Sequence, residues 1–422
     1  MTKRDYSPVL ITGLGIFCPL GETCEESFRS ATNGFSAIAP TNQDICELFP
    51  NAITASCPQN LGPYITKSET GLDRATQMAM IVARQAMEDS GLESVKNDGC
   101  RIGVFVGIGC GGAHLLDTSY GRFYQTLYDT KSKKNPLVMH PLSVPRAMAN
   151  APASYISMTW GLRNASYTYS VACSSSAIAL GEAWRAIRHG YLDAAIVAGC
   201  ESMLTPGSYV AWNALRVFAN PTDDPSASCR PFDAQRSGFV LGEGAAAIIL
   251  ESLEKTQQHS PPVYGELCGY GTSNDAKHLT APSVEGQAMA IRHALTEAKL
   301  APEDINHINA HGTATELGDV VETQAIKDVF GKHAAKIPIS ATKSMHGHLI
   351  GAAGTLEMGL ALLSMKNNIL LPTAHLTQPD ARCDLDYVPI TARHNFSLNT
   401  VMSNSFAFGG SNASLIARRF DG

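Results

Sequence analysis

The chain has 422 residues, 44% of them hydrophobic, with 32 basic and 38 acidic side chains. A charged fraction of 17% excludes a disordered or polyelectrolyte chain. A net charge of −6 offers no basic footprint for nucleic acid or for an anionic membrane surface.

The opening MTKRDYSPVLITGLGIFCPLG lacks the long apolar core of a signal peptide. Apolar stretches elsewhere are broken by Ser, Thr, Tyr, His or Gly, so no membrane-spanning helix is expected. The 11 cysteines are odd in number and scattered, without a C-x-x-C pair, which is the pattern of reduced thiols in a cytoplasmic protein.

Taken in chain order, strand-length apolar runs at 9–11, 102–106, 194–198 and 245–250 alternate with helical patterns at 77–91 and 176–189. The second half repeats this, with helices at 287–300 and 356–366 and a strand-like run at 305–309. Such alternation predicts an α/β fold on a parallel or mixed sheet. Three echoes recur in the same order: 9–21 with 263–275, 77–107 with 287–313, and 167–190 with 336–368. They predict an internal duplication into halves 1–255 and 256–422, with the break in the polar stretch 251–262.

Cys173 lies in S-V-A-C-S-S-S-A, where a strand-like run gives way to a helix. Unsatisfied N–H groups at a helix start favour the thiolate, so a lowered thiol pKa is expected. An inert buried thiol is the plainer reading of any one of 11 cysteines, and only the elbow context singles this one out. His311 in N-A-H-G-T-A-T follows the strand-like run 305–309, and His348 in K-S-M-H-G-H precedes a small-residue helix. Either histidine alone suits a structural role. Two imidazoles converging on a thiol could activate a thioester and hold developing negative charge. His346 and His348 form an H-x-H pair, but no third ligand has metal-site spacing, so no metal is expected. Residues 403–412, S-N-S-F-A-F-G-G-S-N, are as a bare pattern a tight turn. Its Gly–Gly bend also offers backbone N–H groups to an oxyanion.

Together these motifs resemble the β-ketoacyl-acyl-carrier-protein synthases of the thiolase superfamily, specifically the elongating enzymes of type II fatty acid and polyketide systems. The resemblance runs from ITGLG (11–15) to NASLIARRF (412–420) and includes RPFD (230–233) and GFVLGEGA (238–245). It implies a thiolase-like, internally duplicated α/β fold in five layers, αβαβα. It also implies an acyltransferase that condenses malonyl-acyl-carrier protein, with loss of CO₂, onto a Cys-bound chain. On this resemblance Cys173 is the nucleophile, and His311 and His348 stabilise the enolate. The backbone N–H groups of Cys173 and Phe408 form an oxyanion hole, and Phe408 gates the pocket. Lys343 and Glu322 match a charged pair supporting the histidines. Thr313, Thr315 and Thr280 match positions along the phosphopantetheine channel, with Phe239 and Cys110 in the substrate pocket. A thiolase would present a second reactive Cys, which Cys383 in A-R-C-D-L-D is not, and an initiating synthase would pair His with Asn.

Four departures from the family pattern stand out. Ala407 replaces a usual Gly, and His346 replaces a small hydroxyl residue. Cys110, in G-I-G-C-G-G, replaces a bulky aliphatic that often closes the acyl pocket, which predicts a longer tunnel. The carrier-docking basic cluster is thin, with only Lys67 and Arg74 between positions 63 and 81. These departures favour a specialised polyketide or polyene ketosynthase over a housekeeping fatty acid enzyme. The implied partners are an acyl carrier protein and a second subunit, either a copy of this chain or a related ketosynthase or chain-length subunit. No permanently bound cofactor is expected. A non-catalytic chain-length subunit would lack the nucleophile, and a Cys–His–Asn hydrolase would leave the duplication and second histidine unexplained.

Overall fold

Apolar runs bounded by turn residues become buried strands, and the small-residue segments between them become helices. The first half contributes β1 (Val9–Phe17), β2 (Ile102–Gly107), β3 (Ser166–Tyr169), β4 (Ala194–Glu201) and β5 (Gly244–Ser252). The second contributes β6 (Gly265–Asn274), β7 (His307–Asn309), β8 (Ile339–Ser340), β9 (Thr400–Phe406) and β10 (Ser411–Arg418). The computed structural model describes residues 7–94, 101–129 and 139–420, which leaves Cys100 outside. Among the described residues these ten strands form one mixed sheet, ordered β8-β7-β9-β10-β6-β1-β5-β4-β2-β3.

The duplication is explicit in this order. Outward from the β1–β6 junction, each half makes two antiparallel pairings and then two parallel ones. The junction itself is slight, pairing only Leu10 with Glu266 and Ile11 with Gly265.

The helices around the sheet include α1 (Arg74–Ser90), α2 (Ala113–Tyr128), α3 (Ala151–Trp160), α4 (Ser175–Arg188), α5 (Pro206–Ala214), α6 (Val284–Ala298), α7 (Glu316–Phe330) and α8 (Ala353–Asn367). Helices α1 and α3 cover one half-sheet, α6 packs on β6 and β10 of the other, and α7 packs on α6. Helices α4 and α8 pack against each other and against strands of both halves, which completes five layers, αβαβα. Helix α8 is buried from Ala353 to Met365, as expected of a helix apolar on every side.

Small residues set the layer spacing. A Cβ on Gly181 of α4 would lie 2.3 Å from the Tyr270 ring, and one on Gly107 would lie 2.2 Å from the Ser176 backbone nitrogen. The same effect explains why β1 is longer than its apolar run predicts. Gly13 and Gly15 weaken the strand signal, yet they sit beneath α1, where a Cβ would meet the Ala86 and Val82 carbonyl oxygens at 2.3 and 2.2 Å. The polar stretch 251–262 begins inside β5 and not after it. Glu251 is buried there and accepts a 2.6 Å hydrogen bond from the Thr12 hydroxyl.

The Gly107 contact is to backbone, which cannot swing aside as a side chain can. Gly107→Ala should therefore destabilise the chain by about 1–3 kcal/mol or more, the cost of overpacking a close-packed site. The check is the denaturant midpoint, and an unchanged midpoint would show that α4 can move off β2.

Candidate active site

After β3 the chain turns through one 3₁₀ turn, Ala172–Ser174, and enters α4. Ala172 carries the strained backbone of this elbow, at φ 49°. The serines that follow staple it. Ser175 Oγ accepts from the Val171 N–H at 2.9 Å and donates to the Ala172 carbonyl at 2.6 Å, and Ser174 Oγ donates to the Val171 carbonyl at 3.0 Å. Cys173 is thereby presented at the helix start, as its motif predicts. Its thiol pKa goes the other way from the expectation. Burial pushes it up to about 12, while the charge of Lys343 and the Phe408 N–H pull it down without prevailing. Enclosure of the elbow outweighs the helix start, and the resting sulfur is a thiol.

His348 Nε2 lies 3.0 Å from Cys173 Sγ. Its Nδ1 accepts from the Ile350 N–H at 3.2 Å, so the neutral ring carries its proton on Nε2 and donates toward the sulfur. His311 obeys the same logic. Lys343 Nζ donates to the His311 carbonyl at 2.6 Å and sits 3.5 Å from His311 Nδ1, which leaves Nε2 as the protonated nitrogen. The two rings stand 5.5 Å apart at 82°. Burial, and then the Lys343 charge, push both imidazoles well below their ordinary pKa, so both are neutral donors.

The charged pair differs from the expected one. Lys343 bonds the carboxylate of Glu357 on α8. Glu322 instead accepts the backbone N–H groups of His311 and Gly312, each at 2.8 Å. Helix α7 thus presents Glu322 to the His311 loop, while α8 brings Glu357 to the ammonium. Glu357 carries a signal in the sequence: it is the only Asp, Glu, Lys or Arg between Lys343 and Lys366, in a largely apolar helix.

A cavity of about 240 Å³ joins these groups. Cys173, His311 and His348 line it together with Phe239, Ile350, Phe406 and Phe408, and Glu322 contributes to its wall. Thr313, Thr315 and Thr280 also line it, Thr280 being exposed at the mouth. The Thr313 and Thr315 hydroxyls are 3.0 Å apart. The Phe408 N–H favours the charged form of the Cys173 sulfur. Its ring lies 6.3 Å from that of Trp212, a wall residue with no motif to announce it. Trp212 meets Phe239 edge-on at 5.7 Å, and Phe239 meets His348 edge-on at 5.3 Å.

Three of the four departures change meaning in the structure. Cys110 does not line this cavity. It is exposed, its N–H held by Glu201 at 3.2 Å, and the wall is made by Ile350, which packs toward Gly109. Arg74 is not a free docking charge, because the buried carboxylate of Glu243 holds it at 2.7 Å. Ala407 imposes no backbone strain, since the positive φ angles of its loop fall on Gly409 and Gly410. His346 is buried and turned to the Thr342 hydroxyl at 3.0 Å, so it does not pair with His348 as an H-x-H ligand set. The structure does supply the third ligand that sequence spacing did not: the Cys173, His311 and His348 ligand atoms lie within 4.8 Å of one another. The fixed cation of Lys343 beside His311 opposes a divalent ion there.

The family model described as Beta-ketoacyl synthase, N-terminal domain, matches residues 6–256, and its C-terminal counterpart matches 264–377. The chain belongs to the β-ketoacyl synthase family. This β-ketoacyl synthase is 38% identical to the 3-oxoacyl-[acyl-carrier-protein] synthase 2 of Coxiella burnetii, over 99% of both chains. It is 36% identical to the protein of that name from Staphylococcus aureus, over 98% of both. Among solved structures, a type II polyketide ketosynthase bound to its acyl-carrier protein superposes with a TM-score of 0.90 at 29% identity, covering 99% of this chain and 100% of that one. A β-ketoacyl synthase from Burkholderia phymatum superposes at 0.87 with 31% identity, covering 98% and 100%. The chain is accordingly an acyltransferase of the ketosynthase type, with a thiolase-like fold. Among the described residues no helix is long and apolar enough to cross a membrane.

Removing Lys343 alone strands Glu357 in the core. Lys343→Met should cost about 3–5 kcal/mol, the penalty for breaking a buried pair, whereas Lys343→Met with Glu357→Leu should recover most of it. Denaturant unfolding of the three proteins checks this. A single variant as stable as the parent would mean that Glu357 is carried without a charge.

Proposed function

We propose that this β-ketoacyl synthase performs decarboxylative Claisen condensation of malonyl-acyl-carrier protein with a chain held on Cys173. The observation that carries the reading is the ring of donors around one sulfur: two neutral imidazoles with Nε2–H facing the cavity, and the Phe408 N–H. Cys173 Sγ attacks the incoming acyl thioester, the oxyanion rests on the Cys173 and Phe408 N–H groups, and the carrier thiol leaves with the proton. Malonyl thioester then loses CO₂, and the electron pair moves into an enolate whose oxygen His311 and His348 hold. The enolate carbon attacks the Cys173 thioester and releases the thiolate. Decarboxylation makes the carbanion, so no strong base is required. Each imidazole donor contributes on the order of 2–4 kcal/mol where charge develops. Burial, and then the Lys343 charge, keep both rings neutral, and Glu322 and Glu357 hold the loop and the ammonium in place.

The substrates arrive on the phosphopantetheine arm of a carrier protein. We assign Thr313, Thr315 and Thr280 to that arm, Phe239 to the pocket wall and Phe408 to the gate. The halves 1–255 and 256–422 supply the nucleophile and the two histidines respectively. A second subunit, another copy or a related chain-length subunit, covers an exposed apolar face. Exposed apolar side chains open to it include Tyr120, Tyr124, Leu127 and Tyr128 of α2, and Tyr167 on β3, the outermost strand of its half. The free cysteines among the described residues suit a cytoplasmic protein.

Within the reaction class, we place the enzyme in a type II polyketide or polyene system. The thin basic cluster supports this, reduced further by the pairing of Arg74 with Glu243, as does the type II polyketide ketosynthase among the structural relatives. Fatty acid elongation is the second reading, favoured by the names of the curated relatives. Reconstitution with an acyl carrier protein, malonyl thioester and reductive partners separates them. The first expects unsaturated or polyketone chains on the carrier, and saturated chains would establish the second.

Incubation with acyl-carrier protein should add the acyl mass to the Cys173 peptide and not label Cys173→Ala. Acyl mass on Cys110 or Cys200 would sink the assignment. Replacing His311 or His348 with Ala should slow malonyl decarboxylation roughly 10²–10³-fold, the scale of one lost oxyanion donor. Acyl transfer to Cys173 should suffer less, since its oxyanion hole is backbone.

A further inference from the structure

Glu201, at the end of β4, belongs to none of the motifs used so far. It is fully buried, and its carboxylate accepts three backbone N–H groups. One oxygen takes Gly109 at 2.6 Å and Gly351 at 3.1 Å, and the other takes Cys110 at 3.2 Å. The site is shaped to this carboxylate. A Cβ on Gly109 would lie 2.5 Å from its oxygen, and one on Gly351 would lie 2.8 Å from the same atom.

What Glu201 holds is the turn that controls His348. Ile350 adopts φ 42°, a left-handed conformation that a β-branched residue keeps only when its surroundings impose it. The two N–H groups flanking Ile350 are both spoken for. Its own N–H donates to His348 Nδ1 at 3.2 Å, and that of Gly351 donates to Glu201. Pinning Gly351 fixes one side of the strained residue, and His348 receives the other.

We propose that Glu201 is a positioning residue for His348: through Gly351 it holds the Ile350 turn whose N–H keeps that imidazole in its Nε2–H form. This rests on the enolate-stabilising reading of His348 and adds a carboxylate from the other half of the duplicated chain to the support of that histidine. A ligand-orienting partner of this kind acts through the ring it orients and not on substrate.

The test is a double-mutant cycle of Glu201→Gln with His348→Ala, read by malonyl decarboxylation and by acyl transfer to Cys173. An amide oxygen can replace only one carboxylate oxygen, and the amide nitrogen then faces a backbone N–H. Glu201→Gln should lower decarboxylation roughly tenfold or more, the scale for outer partners of a functional histidine. In the His348→Ala background the same change should cost less than about twofold, since residues acting as one unit are non-additive. Acyl transfer should stay close to the parent's. In ¹⁵N-histidine-labelled protein, the His348 signals should report Nε2–H in the parent and a mixed tautomer in the variant. Equal losses in both backgrounds, no loss in either, or an unchanged tautomer would overturn the proposal. If Glu201→Gln does not fold, Glu201→Asp, which keeps the carboxyl group but withdraws it from Gly351, goes through the same cycle with the same expectations. Normal decarboxylation by His348→Ala alone would overturn the enolate reading. The tautomer measurement would still decide the role of Glu201.

Discussion

Lys343 is an ammonium with no access to solvent, set among histidines and carboxylates where several layers of the fold meet. Such a group is tolerable only if each of its protons finds an acceptor and a counter-charge stands beside it. Those demands organise the site. The Glu357 carboxylate requires α8 to lie in one rotation and at one height. The bond to the His311 carbonyl ties the loop after β7 to the turn before His348. Burial first, and then the same charge, disfavour protonation of either imidazole, and the active surface becomes a set of neutral donors. Catalysis on such a surface uses dipoles already in place and needs little rearrangement as negative charge builds up.

Holding that arrangement to a few tenths of an ångström depends on layers that approach more closely than ordinary side chains allow. A Cβ on Gly199 would lie 2.2 Å from the Thr355 hydroxyl, and one on Gly354 would lie 2.5 Å from the Ala177 nitrogen. These contacts draw α8 onto β4 and α4, so the nucleophile of one half and a histidine of the other share one cavity. The high Gly and low aromatic content are the compositional trace of this packing.

Much of this was legible in the sequence because it is written locally. Three echoes in one order announced the duplication. The run from strand to serine-rich helix announced the elbow, and the two histidine motifs announced their proximity to it. What stayed hidden depends on burial, which no local pattern reports. The thiol of Cys173 was expected to be acidified by its helix, yet enclosure dominates. Arg74 read as a surface charge and is locked to Glu243, which lies 169 positions away. Cys110 read as pocket lining, but Ile350, from the other half of the chain, takes that place. Glu322 and Glu357 could not be told apart as partners of Lys343, because the choice depends on which helix the fold brings to the ammonium.

The two elbows of the duplicated chain also bear on how a tandem copy divides its labour. Ala172 before α4 and Ile350 before α8 share the same left-handed bend, each as the first residue of a 3₁₀ turn that leads into the helix. The residue after the bend is Cys173 in the first half and Gly351 in the second. A side chain at Gly351 would begin 2.2 Å from the Gly109 nitrogen, inside the space where the two halves touch. The second elbow therefore cannot carry a thiol while the halves are this close. Symmetry of architecture coexists here with asymmetry of chemistry: one copy of the bend presents a reactive atom to the cavity, and the other is reduced to bare backbone so that the first can be served.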